Sequence, residues 1–161
     1  VVTVPEITLT SAEVFHGAVT GVMRQVSNLR DGRQDRHGIA REQGWQAHIE
    51  GALGELVVAR YTNRFWSGNL GKLRADDVGD LQVRTRSRHD YELILHPTDP
   101  DDRAFVLVTG TAPTYRLIGW IRGREGKRQE WWKDPAGGRA AYFVPQRALR
   151  PMVALGKEVA P

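Results

Sequence analysis

The sequence predicts an α+β domain, with N-terminal helices packed on a mostly antiparallel or mixed sheet, and three observations carry that expectation. Two stretches in the first 61 residues repeat their apolar positions at helical spacing; after Phe65 the period falls to two; and turn residues then separate short β-branched runs. The first helix spans 12–29. Thr10 and Ser11 precede it, Glu13 is placed to complete a capping box, and Val14, Ala18, Val22, Val26 and Leu29 form its apolar stripe. Residues 30–44 hold arginine, aspartate and glycine with almost no apolar side chain, and read as a polar connector. A second helix follows over 45–61, carried by Trp45, Ile49, Ala52, Leu53, Leu56 and Val57. Gly51 and Gly54 interrupt it, a pattern tolerated where a helix backbone lies close against a sheet.

Leu81, Val83 and Thr85 alternate with Gln82, Arg84 and Arg86, just after the turn residues Val78-Gly79-Asp80, so a strand with one polar face is expected there. Residues 91–96 form a second strand, and 104–110, rich in β-branched residues, a buried central one. Residues 114–123 supply its hairpin partner through Thr111-Ala112-Pro113. Residues 123–139 lack periodicity, 141–144 form a last short strand, and 144–152 a turn or helical stub. The helix and connector (1–44) and the core (45–161) are read as parts of one domain, since 161 residues fill one hydrophobic core.

Composition narrows the function. Cysteine is absent, which excludes disulfides, thiolate metal sites and a cysteine nucleophile. No apolar run approaches the ~18 residues that cross a bilayer, so a cytoplasmic protein without a membrane partner is expected. Of 23 basic residues 19 are arginine, and the pI is about 9.8. The planar guanidinium fork suits phosphate oxygens, which leans toward a polyanionic partner; an arginine-rich composition serving solubility alone is the competing explanation. The five histidines lack zinc-site spacing, and neither a nucleophile elbow nor a phosphate-binding P-loop occurs.

The chemistry-bearing segment is ADDVGDLQVRTR, residues 75–86. It places three carboxylates beside a strand whose polar face presents Gln82 and Arg84 together. Magnesium or manganese takes oxygen ligands and is often held by one or two carboxylates plus substrate phosphate. Such an ion would polarise a phosphodiester and acidify a water, with Arg84 stabilising the charge that develops. Asp76, Asp77 and Asp80 are equally ordinary turn formers, and Glu55 could be a helical carboxylate paired with Arg60 or Arg41.

Read together, GALGELVVARY on a helix, Asp77 near a turn and Gln82-Val83-Arg84 on a strand resemble the PD-(D/E)xK nuclease superfamily, in particular small phage and prophage members, over about residues 45–150. The resemblance implies a restriction-endonuclease-like core and a metal-dependent DNA phosphodiesterase, with Glu55, Asp77, Gln82 and Arg84 catalytic. Metal ligands would be Glu55 and Asp77, with Asp80 a rival for the strand aspartate, and the compartment a host cytoplasm if the chain is phage-encoded. Gln82 stands where the family pattern has an acid and Arg84 where it has lysine, and an arginine does not act as a base near neutral pH. A catalytically inactive DNA-binding or protein-assembly module is therefore the alternative expectation.

Further from that segment, Arg86 and Arg88 extend a basic strand edge. Arg124, Lys127 and Arg128 surround Trp131 and Trp132, a combination that tracks phosphates and stacks on bases; the same tryptophans could instead close the core beneath a basic loop. His89 is placed to contact phosphate, and the turn Asp99-Pro100-Asp101-Asp102 reads as a solvent loop. Self-association, with 30–44 docking a partner, is a third expectation.

Overall fold

The computed structural model describes residues 2–32, 43–70, 76–135 and 137–158. Strand β1 (Glu6–Thr8) leads into helix α1 (Ser11–Arg30). The capping box expected at its start is present: the Thr10 hydroxyl accepts from the Glu13 N–H at 3.2 Å, and the Glu13 carboxylate accepts from the Thr10 N–H at 2.7 Å. The expectation about 30–44 falls largely on residues outside those described. Helix α2 (Gly44–Thr62) ends on Asn63, whose left-handed backbone (φ 53°) closes the last turn.

The apolar stripe read for α1 is divided: Val14 packs on the core and Ala18 is half-buried, but its other three residues are on the outer side. The face against α2 is made of Gly17, Gly21 and Gln25, while Val22, Val26 and Leu29 are exposed. A Cβ at Gly17 would overlap Leu53, and one at Gly21 the backbone at Ile49, so the two helices approach at a distance only glycine allows. Of the two glycines in the middle of α2, Gly54 lies hard against Thr85 as expected, whereas a side chain at Gly51 would meet open space.

Strands β2 (Leu81–Arg86), β4 (Ala104–Thr111) and β5 (Thr114–Arg122) join β1 in a mixed four-stranded sheet of order β1-β5-β4-β2. β4 and β5 form the expected hairpin, turning through a cis Ala112–Pro113 bond. β2 runs parallel to β4, with Val83 beside Val106. A parallel pair needs a crossover. Here the crossover is segment 87–103, and it carries β3 (Leu93–Leu95) into a second, antiparallel sheet of order β3-β7-β6, with β7 at Ala141–Val144 and β6 at Trp132–Lys133. The short helices α3 (Gly123–Gly126) and α4 (Leu155–Glu158) close the chain's later turns.

Alternation along the strands divides the interior in two. Leu81, Val83, Val106 and Val108 point toward α2 and pack with Leu53, Val57 and Trp120. Phe105 and Leu107 point the other way, onto Leu93, Leu95 and Val144 of the smaller sheet. The result is three layers: helices, main sheet, small sheet. β4, buried along seven of its eight residues, is the central strand that its composition indicates. Among the described residues no helix is long and apolar enough to cross a membrane.

Candidate functional site

β2 is the last strand of the main sheet among the described residues, and Asp77 lies against its outer edge. Contact of Gly54 with Thr85 brings α2 against this strand, so the next residue, Glu55, enters the interior beside the edge and is 6% exposed. A buried carboxylate needs partners. Arg24 of α1 donates from Nη1 to Oε1 at 2.7 Å and from Nη2 to Oε2 at 2.8 Å, and the Trp66 indole N–H donates to Oε2 at 3.0 Å. Arg24 in turn donates from Nε to the Asn69 carbonyl at 2.7 Å. The partner is neither Arg60, which bonds Glu13 and the Thr8 carbonyl, nor Arg41, which lies outside the described residues.

Asp77 occupies the turn before β2. Its N–H donates to the Leu81 carbonyl at 3.0 Å, and its Oδ2 accepts from the Val83 N–H at 2.7 Å, fixing the carboxylate against the strand edge. Burial pushes its pKa up to about 7, and the negative charge of Glu55 pushes in the same direction. The Val83 N–H, Arg84 and Arg24 oppose both without cancelling them. Asp77 is therefore near enough to Glu55 to feel its charge.

The other two proposed members are turned away. Strand alternation sends Gln82 and Arg84 to the face opposite α2. Gln82 donates from Nε2 to Asp76 Oδ1 at 2.8 Å, and Arg103 donates to the same carboxylate at 3.0 Å. Arg84 donates to Asp99 Oδ1 at 2.9 Å and lies over the Phe105 ring at 4.9 Å. Asp99 also accepts from the His96 N–H at 2.8 Å. Burial would raise the Asp99 pKa, but the His96 bonds and the Arg84 charge overcome it and hold the carboxyl at about 2. The turn 99–102 thus departs from the solvent loop expected of it: Asp99 is an interior partner, while Asp101 and Asp102 stay at the surface. Asp80 is exposed and paired with Arg64.

The basic residues divide similarly. Arg86 donates to the Glu92 carbonyl at 2.8 Å and stacks on Tyr91, and Arg88 is forked onto Asp90. Lys127 is a corrected expectation: its Nζ binds the Pro97 and Asp99 carbonyls and the Asp101 carboxylate, stapling that loop, and its side chain is largely covered. Arg124 and Arg128 are exposed, the latter over the Trp131 ring at 4.9 Å. Trp131 packs on the smaller core, and Trp132 meets Tyr142 edge-on with centroids 4.8 Å apart while staying partly exposed. His89 bonds the Thr109 hydroxyl at 2.9 Å.

A buried carboxylate whose proton affinity is raised by burial and by a second carboxylate is a donor suited to a hard divalent cation, which would relieve that repulsion. Glu55 and Asp77 would hold it, with Arg24 yielding one of its two bonds to Glu55. Among the described residues no group of three or more His, Asp or Glu side chains is gathered closely enough to share an ion. The sequence reading missed Arg24 and Trp66; the helical register of Arg24 opposite Glu55 depends on the glycine contact between α1 and α2, which periodicity does not report. Compared with protein-family models, curated proteins and solved structures, the chain matches none.

Proposed function

We propose that the chain is a DNA phosphodiesterase of phage or prophage type that depends on magnesium or manganese, with Glu55 and Asp77 as its working carboxylates. The supporting observation is their approach at the open edge of β2, where the charge of one raises the proton affinity of the other. A divalent cation bound there would supply polarisation of the phosphate and acidification of a water. Arg24 and the Trp66 N–H orient Glu55, the Val83 N–H orients Asp77, and Arg24 places positive charge beside a phosphate docked at that edge. Arg124 and Arg128, exposed on the far loop, are suited to the DNA backbone, and Trp132 offers a partly open ring. DNA is the proposed partner and the cytoplasm, or a host's cytoplasm, the proposed compartment.

The bidentate Arg24–Glu55 pair and the engagement of Gln82 and Arg84 on the other face favour a second reading, a catalytically inactive DNA-binding or assembly module. Plasmid and linear DNA incubated with each metal separate the two. The first reading expects cleavage that Asp77→Asn lowers at least about 100-fold while leaving the fold intact. Salt-sensitive binding with no cleavage in either metal overturns it in favour of the second.

A further inference from the structure

Helix α1 buries its small residues and exposes its large ones, the reverse of an ordinary amphipathic surface helix. Phe15, Val19, Val22, Val26 and Leu29 are between 37% and 65% exposed. They follow one another in steps of four, three, four and three residues, which is the a/d alternation of a coiled-coil seam. With Met23 beside them they present roughly 500 Å² of apolar surface that none of the described residues covers, near the top of what monomers tolerate. The surface continues into a groove of about 380 Å³ between α1 and segment 66–70, lined by Phe15, Val19, Met23, Trp66 and Leu70, with Phe65 standing 88% exposed at its side. Including those neighbours the face reaches about 800 Å² per chain, the area that one partner contributes to a stable interface.

We propose that α1 pairs with α1 of a second copy of this chain, antiparallel, about a two-fold axis near Val22. Self-pairing suits a seam that reads nearly the same from either end: Val22 meets Val22, Phe15 meets Leu29, and Val19 lies one residue out of step with Val26. The helix dipoles set the direction, since an antiparallel pair opposes them whereas a parallel pair sets like end beside like; Glu13 is already engaged by Arg60 and Arg30 by Asp31. A lipid surface fits less well, because a helix lying on a membrane carries a row of basic residues. Here α1 has two, and Arg24 is committed to Glu55. The inference is independent of the nuclease reading, since the seam includes neither Glu55 nor Asp77.

Sedimentation of the full chain tests it. At tens of micromolar the expected mass is twice 18.1 kDa. The double variant Val22→Glu, Val26→Glu, altered only where the single chain is exposed, is expected to halve that mass while keeping its helical circular dichroism, with dimerisation weakened at least about 100-fold. A wild-type chain that stays monomeric at about 100 µM overturns the proposal, whether or not it binds vesicles of anionic lipid, and so does a double variant that remains dimeric. Disulfide trapping gives an independent readout, since the chain has no cysteine of its own. Val22→Cys is expected to cross-link to itself, and Phe15→Cys only when mixed with Leu29→Cys. Cross-linking of Phe15→Cys alone overturns the antiparallel arrangement.

Discussion

Asp77 and Asp99 sit on either side of one strand, each within reach of Arg84, and they have opposite relations to the proton. Asp99 faces the small sheet with Arg84 and His96 bonded to it, and stays ionised down to about pH 2. Asp77 is buried with one backbone N–H bonded to it and shares its surroundings with a second carboxylate, so burial first and that charge second let it hold its proton up to about pH 7. Burial raises the proton affinity of both. What separates them is whether the nearest charged groups are complementary. A carboxylate whose needs are met by its neighbours is architecture; one left in conflict with another is suited to capturing a cation or a proton.

The comparison is most severely stressed by Asp99→Ala. Removing that carboxylate leaves Arg84 and the His96 N–H without it in a covered setting, and a loss of about 2–3 kcal/mol of stability in urea denaturation is expected. A loss no larger than that of an exposed substitution would show that Asp99 is not the structural member of the pair.

A smaller effect of opposite sign is expected at Asp77. Its folded pKa is raised, so the fold binds this proton more tightly than the unfolded chain, and stability declines as pH rises from about 4 toward 7. Asp99 behaves inversely: its contribution is complete above about pH 4 and is lost as pH falls toward 2. In the absence of metal, Asp77→Asn is therefore expected to be more stable than wild type at pH 8 by about 1–2 kcal/mol, and indistinguishable from it near pH 4. Urea midpoints at the two pH values measure this, and a difference that does not change with pH contradicts it. Least affected is Asp80→Ala. Its ion pair with Arg64 is at the surface, and a change within about 0.5 kcal/mol, with DNA cleavage unaltered, is the expected outcome.

The sequence made different parts of this molecule legible to different degrees. Thr10 and Glu13 reveal the start of α1 because capping is local chemistry, and the uninterrupted β-branched run reveals β4 as central. β1, three residues long, has too little alternation to be recognised and exists by pairing with residues more than a hundred positions away. The second sheet is hidden for the same reason, its register being set between β3 and β7 across some fifty residues. Gln82 and Arg84 were read correctly as sharing a face, but only the packing of Leu81 and Val83 on α2 tells which face that is. The largest misreading, the buried side of α1, arose because periodicity follows large apolar residues, and the close contact here belongs to glycine.

That contact has a consequence at the strand edge. Gly17 and Gly21 act as a gauge for the gap between α1 and α2, and the guanidinium of Arg24 extends across that gap to its carboxylate. Adding even one methyl group at Gly21, which would overlap the backbone at His48 and Ile49, would push the helices apart by about an ångström, beyond the tolerance of a bidentate fork of roughly a few tenths of an ångström. The grip on Glu55 is thus geared to interhelical spacing. A partner pressing on or pulling at the outer side of α1 could loosen or tighten a charge clamp without touching any residue that forms it.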